Sequence, residues 1–317
     1  MPTERRAIID VGTGSVKLLI AEVAGASVTP IVEESEQTRL GSGFYETQRL
    51  QPEAIQRTAA AVGRFAKTAG ASGATWIRVI ATSAARDALN QAELVIAIKA
   101  ASGLKPEVIS GEQEADWVYS GVTSDSLISA RTLLIMDIGG GSTEFILGGK
   151  EAPSFRHSFQ LGAMRLLAQW HLSDPPTEPE WHASQAKLQD FLNAKVRPLL
   201  DPALEHERAS APLLVCTGGT GSIVACMHNQ SPRFDRDEIE ATRLTLADVE
   251  AQRAVVWSKS LAERKRIVGL PPNRADVIVG GLAILAEVMR HFQFTETRVS
   301  TRGLRFAALM DSTRNHS

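Results

Sequence analysis

Two stretches of this chain repeat one pattern, and that repeat limits the fold more than any other feature. Residues 8–20 read "IIDVGTGSVKLLI" and residues 135–147 read "IMDIGGGSTEFIL". Aligned on the aspartates, Asp10 matches Asp137, Gly12 matches Gly139, Gly14 matches Gly141 and Ser15 matches Ser142. Each copy runs from an apolar, β-branched strand through a glycine turn into a second apolar strand. Glycines permit positive φ and let a ligand approach the backbone without Cβ clashes. Successive N–H groups in such a turn form an anion-binding nest, and Ser142 and Thr143 add hydroxyl donors. The flanking carboxylates Asp137 and Glu144 would repel a bare phosphate but suit a Mg²⁺ that travels with one. One such loop fits an ordinary hairpin. A matched pair points to a duplicated architecture with two similar halves, whose loops are expected to face each other across a cleft.

Composition narrows the partners. The 317 residues suffice for two domains and are 44% hydrophobic and 22% charged, with a net charge of −2. There is no general nucleic-acid-binding surface in this balance, so a polyanionic ligand would be held by local arginines, lysines, backbone amides and metal. Cys216 and Cys226 form no disulfide framework and no zinc spacing; they read as small buried residues in a reducing compartment. The N-terminus enters a strand without a signal-peptide apolar region, and no run reaches the length of a membrane span. The expectation is a cytoplasmic protein with no membrane or nucleic-acid partner; a homodimer stays open.

Along the chain, strands and helices alternate, as in an α/β domain. Residues 7–40 read as strands, and "QPEAIQRTAAAVGRFAKTAGASG" as a helix opening near Pro52 and closing at Gly70 or Gly73. "WIRVIATSAARD" begins as a strand and ends in a polar turn, "NQAELVIAIKAASG" is a helix with a glycine stop, and "KPEVISGEQEADWVYSGV" is a short strand followed by a helix. The second half opens with the 135–147 hairpin; "FQLGAMRLLAQWHL" follows as loop and helix, and a proline-rich stretch caps the next helix. "APLLVCTGGTGSIVACM" reads as a strand and Gly-Thr loop entering a helix, "ADVIVGGLAILAEVMRHFQF" as a buried helix, and "RVSTRGLRFAALMDST" as a strand, a turn and a final helix.

Three further stretches carry chemistry. In "IATSAARDALN", Arg86 follows a strand at a loop–helix junction, where its guanidinium suits bidentate contact to phosphate or a surface salt bridge with Asp87. In "ISGEQEADWVYSGV", Ser110 and Gln113 fit a capping box. Glu114 lies in the first helical turn, below Trp117 and Val118. A desolvated carboxylate there suits a general base; a first-turn carboxylate favouring the helix dipole is the plainer reading, which Glu112 serves better. In "CTGGTGSIVA", residues Gly218, Gly219 and Thr220 fit either a phosphate contact at a helix N-terminus or a tight strand–helix turn.

Together these pieces resemble the exopolyphosphatase and guanosine pentaphosphate phosphatase family, Ppx/GppA, of the actin-like ATPase superfamily. The resemblance runs nearly end to end: "IIDVGTGSVKLLIAEV", "TRLGSGF", "ATSAARDALN", "VISGEQEA", "MDIGGGSTEFIL", "FQLGAMRL", "CTGGTGSI", "RADVIVGG" and "VSTRGLR". The "ATSAxRDA" and "SGxxEA" pieces, in this order, are its most specific parts. The implied fold class is α/β, with two ribonuclease-H-like (actin-like ATPase) domains around an interdomain cleft. Residues 1–128 would form the first, with the C-terminal helix 303–317 packed on it, and 129–302 the second. By the same resemblance, Glu114 activates the attacking water and Arg86 holds a substrate phosphate. Asp137 and Glu144 serve metal and water; on ligand chemistry alone, Asp10, Asp137 and Glu144 offer hard oxygen donors suited to Mg²⁺ or Mn²⁺. Gly12, Thr13, Gly14, Ser15, Gly139, Gly140, Gly141, Ser142 and Thr143 hold phosphates, with Gly218, Gly219 and Thr220 beside them.

Three positions depart from the family pattern. The first loop has Gly14 where an asparagine is usual, Phe306 stands where an acidic residue often follows "GLR", and the chain ends at Ser317 without the extra helical region of long members, as in a short form. The expected reaction is release of terminal orthophosphate from inorganic polyphosphate. The close alternative is a 5′-phosphatase acting on guanosine pentaphosphate, in the chemistry of the stringent response, with guanosine penta- or tetraphosphate as ligand. A kinase of the same superfamily ranks below these, as no acceptor motif is seen. A non-catalytic alarmone or nucleotide sensor also ranks below, since Glu114, Asp137 and Glu144 are all present.

Overall fold

The computed structural model describes residues 3–149 and 152–311; the part of the expected 303–317 helix beyond Asp311 lies outside them. The chain divides into two compact units. One comprises residues up to Ser124 together with those from Arg302 onward, and the other is Asp125–Thr301.

Among the described residues, the first unit is built on five strands: β1 (Glu4–Val11), β2 (Ser15–Ala24), β3 (Ser27–Gln37), β4 (Trp76–Ala81) and β5 (Glu107–Val108). Their order in the sheet is β3-β2-β1-β4-β5. β1–β2 and β2–β3 are antiparallel, while β1–β4 and β4–β5 are parallel. The apolar strand residues seen in the sequence form its core: Ile9, Val11, Leu18, Ile20 and Val79 pack with Ile55, Val62 and Phe65 of the Pro52–Ala71 helix. Pro52 opens that helix, where its missing N–H costs nothing. Gly103, at φ +75°, stops the Gln91–Ser102 helix. The "ATSAAR" segment, expected as a polar turn after β4, is instead one turn of helix, Ser83–Arg86.

The second unit repeats the plan. Its strands are β6 (Leu133–Ile138), β7 (Thr143–Gly148), β8 (Pro153–Phe159), β9 (Leu213–Thr217), β10 (Arg243–Thr245) and β11 (Glu296–Val299). Read from the other edge, the sheet order is β8-β7-β6-β9-β11, with β10 added antiparallel outside β11. Strand directions match the first sheet one for one. Two copies of a 3-2-1-4-5 mixed sheet, each led by a glycine hairpin, give the expected α/β fold of two ribonuclease-H-like domains. The apolar run 278–289 is buried throughout as the helix Ile278–His291, against β6 and its neighbours. The Gly-Thr loop expected after β9 does not exist: helix Gly218–His228 starts directly at the strand end.

The helix Leu304–Met310 belongs to the first unit and packs on the helix Gly111–Val122. Their approach is so close that a Cβ at Gly121 would run into the Gly303 carbonyl. Among the described residues, no helix is long and apolar enough to cross a membrane.

Candidate active site

In the first unit, β1 and β2 bring Asp10 opposite Lys17, and the turn closes with the Gly12 N–H donating to the Ser15 carbonyl at 3.0 Å. The following segment holds this loop from behind. The Arg39 N–H donates to the Gly14 carbonyl at 2.8 Å and the Gly41 N–H to the Thr13 carbonyl at 2.9 Å. A Cβ at Gly41 would crowd the Thr13 methyl, which would have to turn aside. A loop whose carbonyl oxygens are occupied in this way presents fewer acceptors to an anion. Burial pushes the Asp10 carboxyl above the ordinary aspartate range, partly offset by the charges of Lys17 and Arg305.

Glu114 and Arg86 meet in the same unit. Arg86 leaves the one-turn helix after β4, and Glu114 sits in the first turn of Gly111–Val122, whose Ser110 cap accepts the Gln113 N–H at 3.1 Å. Arg86 Nη1 donates to Glu114 Oε2 at 2.8 Å and to the Ile109 carbonyl at 3.2 Å. Asp87, the partner weighed from the sequence, stands farther off at 3.7 Å. Glu114 is 8% exposed, whereas Glu112, two residues earlier, is open to solvent. The desolvated carboxylate expected at Glu114 is therefore present. Its direct pairing with Arg86 is not visible in the sequence, because 28 positions separate them.

The second unit presents the corresponding loop. Asp137 stands opposite Glu144 across β6 and β7, and the Gly139 N–H donates to the Ser142 carbonyl at 2.9 Å, repeating the Gly12–Ser15 closure. Thr143 donates its hydroxyl to the Leu161 carbonyl. The loop carbonyls are again tied back, here by the start of helix Ala163–Trp170: Ala163 N–H to Gly139 at 3.0 Å, Met164 N–H to Gly140 at 2.9 Å, and Arg165 Nε to Gly141 at 2.8 Å. A Cβ at Gly162 would strike the Gly140 carbonyl, so Gly162 does for this loop what Gly41 does for the first. Glu144 is 1% exposed, and Ser158 of β8 donates to its Oε1 at 2.6 Å.

Gly218, at φ +83°, brings the start of the Gly218–His228 helix against Asp137, and a Cβ there would collide with the Asp137 carboxylate. The positive end of that helix favours the negative charge. Thr220 is buried, donates to the Ile138 carbonyl at 3.4 Å and packs on Gly281, fixing the helix to β6. Cys216 and Cys226 are buried free thiols, as expected. Burial and then the Asp137 charge push the Cys216 thiol far above its ordinary range, which makes it a poor nucleophile.

Among the described residues, no three His, Cys, Asp or Glu side chains gather closely enough to form a metal cage. A Mg²⁺ site does not require one, since that ion is commonly held by one or two carboxylates together with waters and substrate phosphate. The Asp137–Glu144 pair, all oxygen donors, fits that chemistry. Sequence reading missed Ser158 and the backing roles of Gly41 and Gly162. The Leu-Gly pair common to "TRLGSG" and "FQLGAM" was the available signal for the last two.

Two ribonuclease-H-like domains, each with a backed glycine hairpin following an aspartate-bearing strand, define the actin-like ATPase class of fold. A model of the Ppx/GppA phosphatase family matches residues 4–316, and the chain belongs to that family. Exopolyphosphatase 2 of Mycobacterium tuberculosis is 32% identical over 308 residues, covering 92% of each chain. Exopolyphosphatase 1 of Mycobacterium bovis is 28% identical, over 95% of this chain and 86% of that one. Among solved structures, an exopolyphosphatase from Cytophaga hutchinsonii superposes with a TM-score of 0.85 at 26% identity, covering 99% of this chain and 100% of that one. The Ppx/GppA family member from Aquifex aeolicus gives 0.78 at 28% identity, with both chains fully covered.

Proposed function

We propose that this protein is an exopolyphosphatase, hydrolysing the terminal phosphoanhydride of inorganic polyphosphate to release orthophosphate in the cytoplasm. The observation that carries the reading is the buried Glu114 carboxylate held by Arg86, in a family whose mycobacterial members are named exopolyphosphatases. Glu114 accepts a proton from water as that water attacks the terminal phosphorus. The P–O anhydride bond breaks, and its electron pair leaves on the bridging oxygen of the shortened chain. Phosphoryl transfer is mainly positioning and electrostatics, which suits loops that contribute backbone N–H groups at Gly12–Ser15 and Gly139–Thr143, with the Gly218–Thr220 backbone beside them. The Thr143 hydroxyl, expected as a phosphate donor, is instead spent on the Leu161 carbonyl, and that of Thr220 on the Ile138 carbonyl. Arg86 carries a second task here, exchanging its contact with Glu114 for one with a substrate phosphate. Asp137 and Glu144, with Asp10 contributing, would hold Mg²⁺ or Mn²⁺, which supplies neutralisation of the phosphoryl charge. The two units, divided at Ser124 and Asp125 rather than at the expected 128, serve as the working domains.

The family name itself supports one second reading, a 5′-phosphatase acting on guanosine pentaphosphate. Phosphate release measured with polyphosphate, guanosine pentaphosphate and ATP, each with Mg²⁺ and with excess EDTA, tests both. The expected result is metal-dependent release, fastest from polyphosphate. Release from none of the three overturns the hydrolase reading, and preference for the nucleotide selects the second.

A further inference from the structure

We infer that Ser158 is a positioning residue for the reaction: it orients the Glu144 carboxylate through the hydrogen bond from its hydroxyl and so sets the strength of the metal site. This rests on the reading of Glu144 as a metal and water ligand. Asp137, Glu144 and Ser158 are register partners in one row across β6, β7 and β8, so their side chains share a face of the sheet. Ser158 Oγ donates to Glu144 Oε1 at 2.6 Å, the short distance expected of a hydroxyl bound to a carboxylate. Glu144 is 1% exposed, so a protein donor rather than bulk water fixes that oxygen. A glutamate has three side-chain torsions, and a single anchored oxygen removes rotation of the carboxylate plane. The carboxylate is then presented to a cation or its water in a defined orientation. Groups that orient a ligating side chain in this way typically contribute about 10–100-fold in metal affinity or activity. The other serine on β8 does not share the role: Ser154 is exposed and donates to the Leu147 carbonyl at 3.2 Å.

The test compares Ser158→Ala, Ser158→Thr, Ser154→Ala and Glu144→Gln in the full chain. Mn²⁺ binding is measured calorimetrically without substrate, alongside kcat and KM for polyphosphate at saturating Mg²⁺ and the melting temperature. Ser158→Ala is expected to weaken Mn²⁺ binding about 10–100-fold and to lower kcat more than it raises KM. Ser158→Thr, which keeps the hydroxyl, should recover most of both, and Ser154→Ala should match wild type. The inference is overturned if Ser158→Ala binds Mn²⁺ within twofold of wild type, if Ser158→Thr is as impaired as Ser158→Ala, or if Ser154→Ala loses as much. If Ser158→Ala is normal while Glu144→Gln has lost Mn²⁺ binding, the Ser158 inference alone fails. If Glu144→Gln binds Mn²⁺ and turns over normally, the reading of Glu144 fails and this inference goes with it.

Discussion

The two units carry a matching row of three positions on corresponding strands, with different electrostatic content. In the first unit the row is Asp10, Lys17 and Ser35; in the second it is Asp137, Glu144 and Ser158. Backbone geometry is conserved between them, down to the Gly12–Ser15 and Gly139–Ser142 closures at 3.0 and 2.9 Å. The central residue differs: a lysine that offsets the Asp10 charge in one, and a buried carboxylate beside Asp137 in the other. A row with its own cation is electrically complete. A row with two carboxylates and one hydroxyl invites a divalent ion. The two scaffolds share strand directions and loop closure, and the central side chain of each row is where they differ in charge. Outside the shared rows, the first unit brings the buried Glu114 carboxylate onto Arg86 at 2.8 Å, and the second pairs Asp125 with Arg298 at 2.9 Å.

The largest effect should come from breaking that asymmetry at Glu114. Loss of a general base costs about 10²–10⁴-fold in rate, against roughly 0.3–1 kcal/mol for a carboxylate that only favours a helix dipole. Glu114→Gln should collapse kcat for polyphosphate with KM little changed, while Glu112→Gln, on the exposed side of the same turn, should remain near wild type. Equal, near-normal phosphate release by both variants refutes the assignment.

Next in size is the metal. Excess EDTA should abolish phosphate release, and added Mg²⁺ or Mn²⁺ should restore it. Glu144→Gln leaves one carboxylate in the second row and should demand far more Mg²⁺ for half-maximal rate. Undiminished turnover in EDTA would show that the difference between Lys17 and Glu144 has no bearing on metal.

A smaller contrast lies behind the loops. A Cβ at Gly162 meets backbone, the Gly140 carbonyl, whereas at Gly41 it meets the end of the Thr13 side chain, which can turn aside. Gly162→Ala should therefore cost about 1–3 kcal/mol as overpacking, seen as a drop of several degrees in Tm. Gly41→Ala should cost less. The reverse order would refute the claim that the backbone clash at Gly162 outweighs the side-chain clash at Gly41.

The duplication was legible because strand–glycine–strand patterns are local, and with it came the two similar halves and both loops, though not the order of strands within each sheet. The boundary expected near residue 128 falls at Ser124 and Asp125, within a stretch of turns that carries no sharp punctuation. Local pattern failed at Ser83–Arg86 and Gly218, where short polar and glycine-rich segments read as turns. Their helical form comes from tertiary contacts, such as Gly218 beneath Asp137. Pairings across long separations, Arg86 with Glu114 and Ser158 with Glu144, left no periodic trace. The same holds for β10, whose three residues are too few to alternate.

The smallest expected effect concerns helix starts, where the units also differ. Capping boxes at Thr177–Glu180, Thr245–Asp248 and Ser260–Glu263 all lie in the second unit. In the first unit, Pro52–Ala71 and Gln91–Ser102 start without a side-chain cap, while Gly111–Val122 has the Ser110 cap already described. Hydrogen bonds from the Ser173 hydroxyl and the Thr177 and Ser173 amides lower the Glu180 carboxyl from its ordinary 4.5 to about 2. Hydrogen bonds from Thr245 and Ser260 likewise lower Asp248 and Glu263. A depressed folded-state pKa means the unfolded chain binds the proton more readily. The stability from Glu180 is thus fully present above about pH 4.5 and is lost as pH falls towards about 2. Hydrogen exchange, corrected for intrinsic rates, should show Glu178–Phe191 and Leu246–Trp257 losing protection between pH 5 and roughly pH 2.5, before Pro52–Ala71 does. Glu180→Gln, which keeps an acceptor but cannot ionise, should lower protection of Glu178–Phe191 at pH 6 and flatten its pH dependence. Equal acid sensitivity of the capped and uncapped helices would remove this last difference between the units and leave the central residue of each row as what separates them.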